Sequence, residues 1–375
     1  MRSPMDERTF LNFYKNTVLG NSNGVLNNIC SLLIKENLIT FEAQRSIGDS
    51  EELKYFESKR DLKKVISETT TDIKFSYFYE YWEFIKLYKY SLPLFYRSDS
   101  KETIEKMLIQ IGAKEFNPDK FIPEFILSTS LKEATPLYWK NDGDLFIKFV
   151  LQKTYVQPDT FDQIDYRYPI IIYLNTENSI LDIRYDSTRY NSNSVVSSAA
   201  YEMIVTECMD WIKNNLQIDL FTCDHTDIIQ IINDKQNENV KIYKQMMQMS
   251  TGASAELTAS ENTDYVLPFI GELRELIDEN EEIFNKADDV KQILIQYLAD
   301  KEATASYPYI YVKWVRPVES QSYIVKVTFD YFSRKYTLLQ HITGNCKDLG
   351  MERMNDAIKY LCQSGSFVKG EKIKY

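Results

Sequence analysis

Histidine is scarce among the side chains that could do acid–base, nucleophilic or metal chemistry. Only His225 and His341 occur in 375 residues. His225 closes the triplet Cys223-Asp224-His225, all three of zinc-ligand type. Three adjacent residues do not face one ion without a special turn, and no paired cysteine or HExxH motif accompanies them. Cys223 beside His225 also lacks the geometry of a thiol nucleophile and its base. GxSxG, GxxxxGK[ST] and GxGxxG are absent, and eleven glycines are few for loops that cradle phosphates. No catalytic residue and no cofactor is therefore expected.

Carboxylates offer an alternative. Pro158-Asp159 precedes the apolar segment 168–174, and Asp182-Ile183-Arg184 follows it. This pattern resembles in outline that of the PD-(D/E)xK nucleases. The resemblance implies a divalent metal ion held by Asp159 and Asp182, and a metal-dependent nuclease or nuclease subunit as the alternative function. It departs at Arg184, where that pattern has lysine. On a strand Asp182 and Arg184 share a face, so they are also expected to neutralise each other on a solvent side.

Cations form two groups. Lys313, Arg316, Lys326, Arg334 and Lys335 alternate with Trp314 and Tyr336 in strand-like segments, and Lys369, Lys372 and Lys374 follow. Alternate strand residues present cations on one face beside aromatics, which suits nucleic acid. The second group is Lys54, Lys59, Arg60, Lys63 and Lys64, in which positions 60, 63 and 64 share a helix side. Both groups also fit ordinary solubilising charge. The segment 75–96, FSYFYEYWEFIKLYKYSLPLFY, is too aromatic for a solvated helix. Phe78, Tyr79 and Trp82 are expected at a partner interface or in the core.

Elements must position these residues. Periodicity predicts helices through 6–66, with Ile29, Leu32, Leu33 and Leu38 near one face, and a further helix over 75–96 closed by Pro93. A helix over 99–113 is bounded by Ser100 and Gly112. Residues 1–130 are thus expected to form a helical domain of winged-helix or bundle type. From 131 to the end an α+β domain is expected. Strands are read at 144–156, 168–174 and 180–186, the last two joined by the polar turn 175–179. An amphipathic helix covers 192–215, and helices are read at 225–247 and 268–299. Residues 250–264 read as a loop with room for a short strand at 255–258. A meander follows at 307–317, 322–333 and 334–342, then a helix near 349–363. The fold class is α+β, with a mixed or antiparallel sheet and helical insertions.

Composition narrows the partners. The net charge is −11, which excludes a uniformly basic coat. It divides unevenly: −3 over 1–196, −13 over 197–304 and +5 over 305–375. The acidic stretch is read as a helical insertion and the last part as basic and strand-rich. Five widely spaced cysteines point to a reducing, cytoplasmic setting. No apolar run approaches the roughly 20 residues of a membrane span, and MRSPMDERTF lacks the apolar core of a secretion signal. The leading expectation is a non-enzymatic interaction or regulatory protein in a complex. Its partner is a protein or a second copy, with nucleic acid contacted through a basic surface and no membrane.

Overall fold

The computed structural model describes residues 6–41, 54–56, 62–98, 101–117, 128–157, 159–189, 194–223, 228–234, 239–249, 252, 254–258, 268–304, 306–318, 321–333, 336–343, 350–364 and 369–372. N-terminal helices are followed by mixed sheet with interspersed helices, the expected α+β class. By contacts the chain divides into two units. Unit 1 comprises 1–89, 94–220 and 346–352, and unit 2 comprises 90–93, 221–345 and 353–375. The expected boundary at 130 falls inside unit 1 by these contacts. Helix α1 packs on a strand beyond it, and the buried Thr17 hydroxyl accepts the Arg167 N–H at 2.8 Å.

The first elements are α1 (Glu7–Leu19), α2 (Asn23–Lys35), β1 (Ile39–Phe41), β2 (Lys54–Phe56), α3 (Leu62–Thr69) and α4 (Ile73–Ile85). Asp6 caps α1 by accepting the Thr9 N–H at 3.0 Å, and Asp72 caps α4 through Lys74 N–H at 2.9 Å. Their apolar faces meet in a core of Phe10, Tyr14, Val18, Leu26, Ile29, Leu33, Val65 and Phe75. Within the span 6–66 expected to be helical, 54–56 instead pairs as a parallel strand with 39–41.

Next come β3 (Tyr90–Arg97), α5 (Lys101–Gln110), β4 (Lys114–Glu115), β5 (Leu137–Asn141), β6 (Asp144–Val156), β7 (Gln163–Asn175), β8 (Ile180–Tyr185) and α6 (Ser194–Leu216). The aromatic segment 75–96 is therefore not one helix. The chain leaves α4 at Lys86 in extended conformation, and Pro93 lies buried inside β3. Beyond α5, Gly112 takes φ +77°, the left-handed position that glycine reaches without a Cβ penalty. In unit 1 the strand order is β4-β5-β6-β7-β8. Its central strands are buried on both faces, as in a sheet covered twice. Phe149 and Tyr185 meet Trp211 and Tyr201 of α6 on one face. Lys148 and Arg167 point to the other, where α4 lies.

The remaining elements are β9 (Asp219–Cys223), α7 (Ile228–Asp234), β10 (Val240–Gln248), β11 (Ser254–Thr258), α8 (Pro268–Glu279), α9 (Glu281–Phe284), α10 (Asp288–Thr304), β12 (Tyr309–Trp314), β13 (Tyr323–Tyr331), β14 (Tyr336–Thr343), α11 (Glu352–Ser364) and β15 (Lys369–Lys372). The acidic region 197–304 is thus no single helical insertion, since it contains β9, β10 and β11. The expected helix over 225–247 stops at Asp234, and the alternating VKIYKQMMQ forms a strand instead. In unit 2 the order is β11-β10-β12-β13-β14, all antiparallel, and Tyr90 and Ser91 pair beyond β14. One face carries Ile310, Val312, Trp314, Tyr323, Val325 and Val327 and is buried. Tyr360 of α11 meets Trp314 edge-on, and Met247 packs with Ile277 of α8 and Leu298 of α10.

Candidate nucleic-acid interface

The opposite face of the unit 2 sheet holds the expected basic residues that share a surface. Strand alternation turns Tyr309, Tyr311 and Lys313 outward on β12, and Ile324, Lys326 and Thr328 outward on β13. Register places Tyr311 opposite Lys326. On the other side of β12, Lys244 is opposite Tyr311 and Lys241 opposite Lys313. The last pair sets like charges across one rung, where they repel. The Lys326 ammonium lies 3.7 Å from the Tyr309 ring centre and 5.6 Å from that of Tyr311. Lys244 lies 5.6 Å from the Tyr311 ring. The outward residues of β10, β12 and β13 thus include four lysines with Tyr243, Tyr309 and Tyr311, and Glu256 of β11 meets Lys244 and Tyr309.

Glu256 organises one corner. It accepts the Tyr309 hydroxyl at 2.7 Å and pairs with Lys244 at 2.5 Å. These hydrogen bonds hold the Glu256 carboxyl below its ordinary value and push the Tyr309 phenol up to about 12. Burial lowers the Lys326 ammonium; Glu256 opposes this, and the nearby Lys244 adds a smaller lowering. Lys326 is therefore a half-buried cation over an aromatic pair, in a setting that an approaching anion relieves.

The other expected basic residues are placed differently. Arg316 is exposed and paired with Asp356 at 2.9 Å. Lys369 and Lys372 lie on β15, which pairs with β9. Trp314 and Tyr336 are buried. Arg334, Lys335 and Lys374 lie outside the described residues, as do Lys59 and Arg60 of the alternative basic helix. Lys63 and Lys64 are exposed on α3.

The carboxylates expected to hold a metal ion are not brought together. Asp159 is exposed in the turn between β6 and β7. Asp182 is buried on β8, paired with Tyr173, ten residues along β7 from that turn. At about 3.3 Å per residue this is roughly 33 Å. Asp182 instead accepts from Arg184 Nε at 2.7 Å, and the guanidinium lies 3.9 Å from the Tyr173 ring centre. The expected mutual neutralisation occurs, but in the core rather than toward solvent. Among the described residues no three His, Cys, Asp or Glu side chains form a metal-holding group. Cys223 is buried, 3.9 Å from the sulfur of Cys362, and His225 lies outside the described residues.

Residues expected at an aromatic interface sit in unit 1. Tyr79 and Trp82 are buried and Phe78 is half-buried against the same core. Tyr79 and Trp82 also line a cleft of about 740 Å³ with Lys86, Arg167, Tyr168 and Arg189. Its cations are engaged within the fold. Lys86 pairs with Asp186, and Arg189 donates to the Asn16 and Thr17 carbonyls at the end of α1.

Arg167 belongs to a network that the sequence reading did not single out. Glu80 and Glu83, three apart on α4, face Lys148 of β6 and Arg167 of β7, and all four are buried. Lys148 Nζ pairs with Glu80 and lies 3.2 Å from Glu83. Arg167 Nη2 lies 2.6 Å from Glu80 and 2.7 Å from Glu83, and Tyr14 donates its hydroxyl to Glu80. Burial alone would raise the Glu80 carboxyl. Arg167, Lys148 and the hydrogen bonds outweigh it and hold the group at about 2. The available signal was a lysine inside the strand DLFIKFVL and two acids one helical turn apart in an aromatic helix.

Among the described residues no helix is long and apolar enough to cross a membrane. No protein-family model matches the chain, and no curated protein matches it in sequence.

Proposed function

We propose that this is a non-enzymatic interaction protein that holds single-stranded nucleic acid on the outer face of its C-terminal sheet. The observation that carries this reading is the placement of Lys326 over Tyr309 and Tyr311, with Lys244, Lys313 and Lys241 on neighbouring rungs. Bases stack on tyrosine rings of any sequence context, and lysines meet the backbone phosphates. A cytoplasmic setting fits the four described cysteines, all buried and none in a disulfide.

Fluorescence anisotropy with a labelled single-stranded oligonucleotide tests it. Tyr311→Ala is expected to cost about 1–3 kcal/mol of binding, the usual worth of a stacked base. Lys313→Ala and Lys326→Ala are expected to weaken binding across sequences, while Lys63→Ala with Lys64→Ala leaves it unchanged. Equal binding by the tyrosine and lysine variants and the parent chain would sink the reading.

A further inference from the structure

The cleft of unit 1 that Tyr79 and Trp82 line is large enough for a small ligand. Its volume of about 740 Å³ falls in the range of roughly 300–1,000 Å³ that such sites occupy. Tyr166 and Tyr168 extend the aromatic lining. Lys86, Lys89, Arg167 and Arg189 line it too, and Asp186 is the one carboxylate among the described lining residues. Two of these cations keep bonding capacity in reserve. Glu80 and Glu83 take Nε and Nη2 of Arg167. Its Nη1 has no acceptor among the described residues, although Arg167 is only 4% exposed. A buried guanidinium donor left without an acceptor costs free energy that an anion would recover. Arg189 donates to the Asn16 and Thr17 carbonyls, and no carboxylate among the described residues pairs with it. Burial and Glu83 raise the Tyr79 phenol, and Arg167 and Arg189 both act against them. The two guanidinium groups therefore lie around one hydroxyl. The half-buried Asn28 amide and the Trp82 indole N–H belong to lining residues and likewise have no hydrogen-bond partner among the described residues.

We propose that this cleft binds a nucleoside monophosphate. The phosphate takes Arg167 Nη1 and Arg189, planar charge-assisted donors that suit it. The base lies among the tyrosine and tryptophan rings, and Asn28 meets its edge, because an amide both donates and accepts. An apolar ligand would leave the Arg167 donor unpaired, and inorganic phosphate would leave the aromatic lining in water. The cleft belongs to unit 1, so the proposal stands apart from the lysine–tyrosine face of unit 2.

Isothermal titration calorimetry on the full chain tests it with AMP, GMP, CMP and UMP. The matching nucleosides and ribose 5-phosphate serve as probes that lack the phosphate or the base. At least one monophosphate is expected to bind with a Kd of about a millimolar or tighter. Its nucleoside and ribose 5-phosphate are each expected to bind about tenfold or more weakly. Arg167→Lys keeps the charge of the buried network but removes Nη1, and is expected to weaken the monophosphate about tenfold or more. Asn28→Asp places a carboxylate in the cleft without touching that network. It is expected to weaken binding by a similar factor, and it decides the matter if Arg167→Lys does not fold. Binding is expected to persist in the chain carrying Tyr311→Ala with Lys326→Ala. Three results would overturn the proposal: no monophosphate bound at about millimolar concentration, a nucleoside or ribose 5-phosphate bound equally well, or undiminished binding by a folded Arg167→Lys or Asn28→Asp chain. Loss of binding in the Tyr311→Ala, Lys326→Ala chain would also overturn it, by moving the nucleotide to the face of unit 2.

Discussion

Two carboxylates and two cations are sealed together between α4 and the unit 1 sheet. Such a group adds little net stability when complete, since desolvation offsets much of the attraction, but it is costly to break. Lys148→Met would leave Glu80 and Glu83 with Arg167 as the remaining cation of the network, so unit 1 is expected to lose about 3–5 kcal/mol in urea denaturation. The network also has an acid signature. Glu80 is held at about 2 in the fold, against 4.5 ordinarily. Its contribution is therefore fully present above pH 4.5 and is lost as pH falls toward 2. Urea titrations at stepped pH should show that loss, and Glu80→Gln should have little of it left. His341 of unit 2 titrates elsewhere. Burial, together with Arg353 nearby, lowers its imidazole to about 4 from 6.5. The fold thus favours the neutral ring: its contribution is present above pH 6.5 and is lost as pH falls to 4. Hydrogen-exchange protection factors on β13 and β14, corrected for the intrinsic pH dependence of exchange, should fall over that interval, and His341→Gln should abolish the fall.

At the scale of elements, pairing explains the outcome better than propensity. The long hairpin β6–β7 keeps its register over twelve rungs. It turns Lys148 and Arg167 to the same face, which makes the α4 contact possible. Helix α4 stops at Ile85 because the chain must enter β3, and Gly350 packs against that exit. A Cβ at Gly350 would lie 2.3 Å from the Ile85 carbonyl oxygen. The obstruction is backbone and does not swing aside. Gly350→Ala is therefore expected to destabilise unit 1 by about 1–3 kcal/mol, the usual cost of overpacking, read from a lowered urea midpoint at unchanged slope. Alanine at Gly143, where nothing lies within 4 Å of the added Cβ, is the steric control, although its φ of +91° adds backbone strain.

For the whole molecule, the net charge of −11 opposes the proposed ligand and the lysine face attracts it. Binding is therefore expected to be weak at physiological salt and steeply salt-dependent. Each lysine removed from Lys244, Lys313 or Lys326 should lower the slope of log affinity against log salt by about one. The acidic α8–α10 region lies in the same unit and works against that attraction.

The amino-acid sequence by itself determined the α+β class, the strand 144–156, the hairpin 168–186, the meander after 307 and the concentration of acid before it. These are local: alternation, turn residues and charge counts need no partner in space. It also identified Lys313 and Lys326 together as candidates. Only the tertiary structure decided that Tyr309, Tyr311, Lys241 and Lys244 join them, because register between strands is a long-range choice. Only it separated Asp159 from Asp182, buried Trp82 and Tyr79, and matched Glu80 and Glu83 to cations 65 or more residues away. A buried charge reads in sequence like a solvated one. What distinguishes them is the water removed when the sheet and helix close over it, and that depends on which distant segments meet.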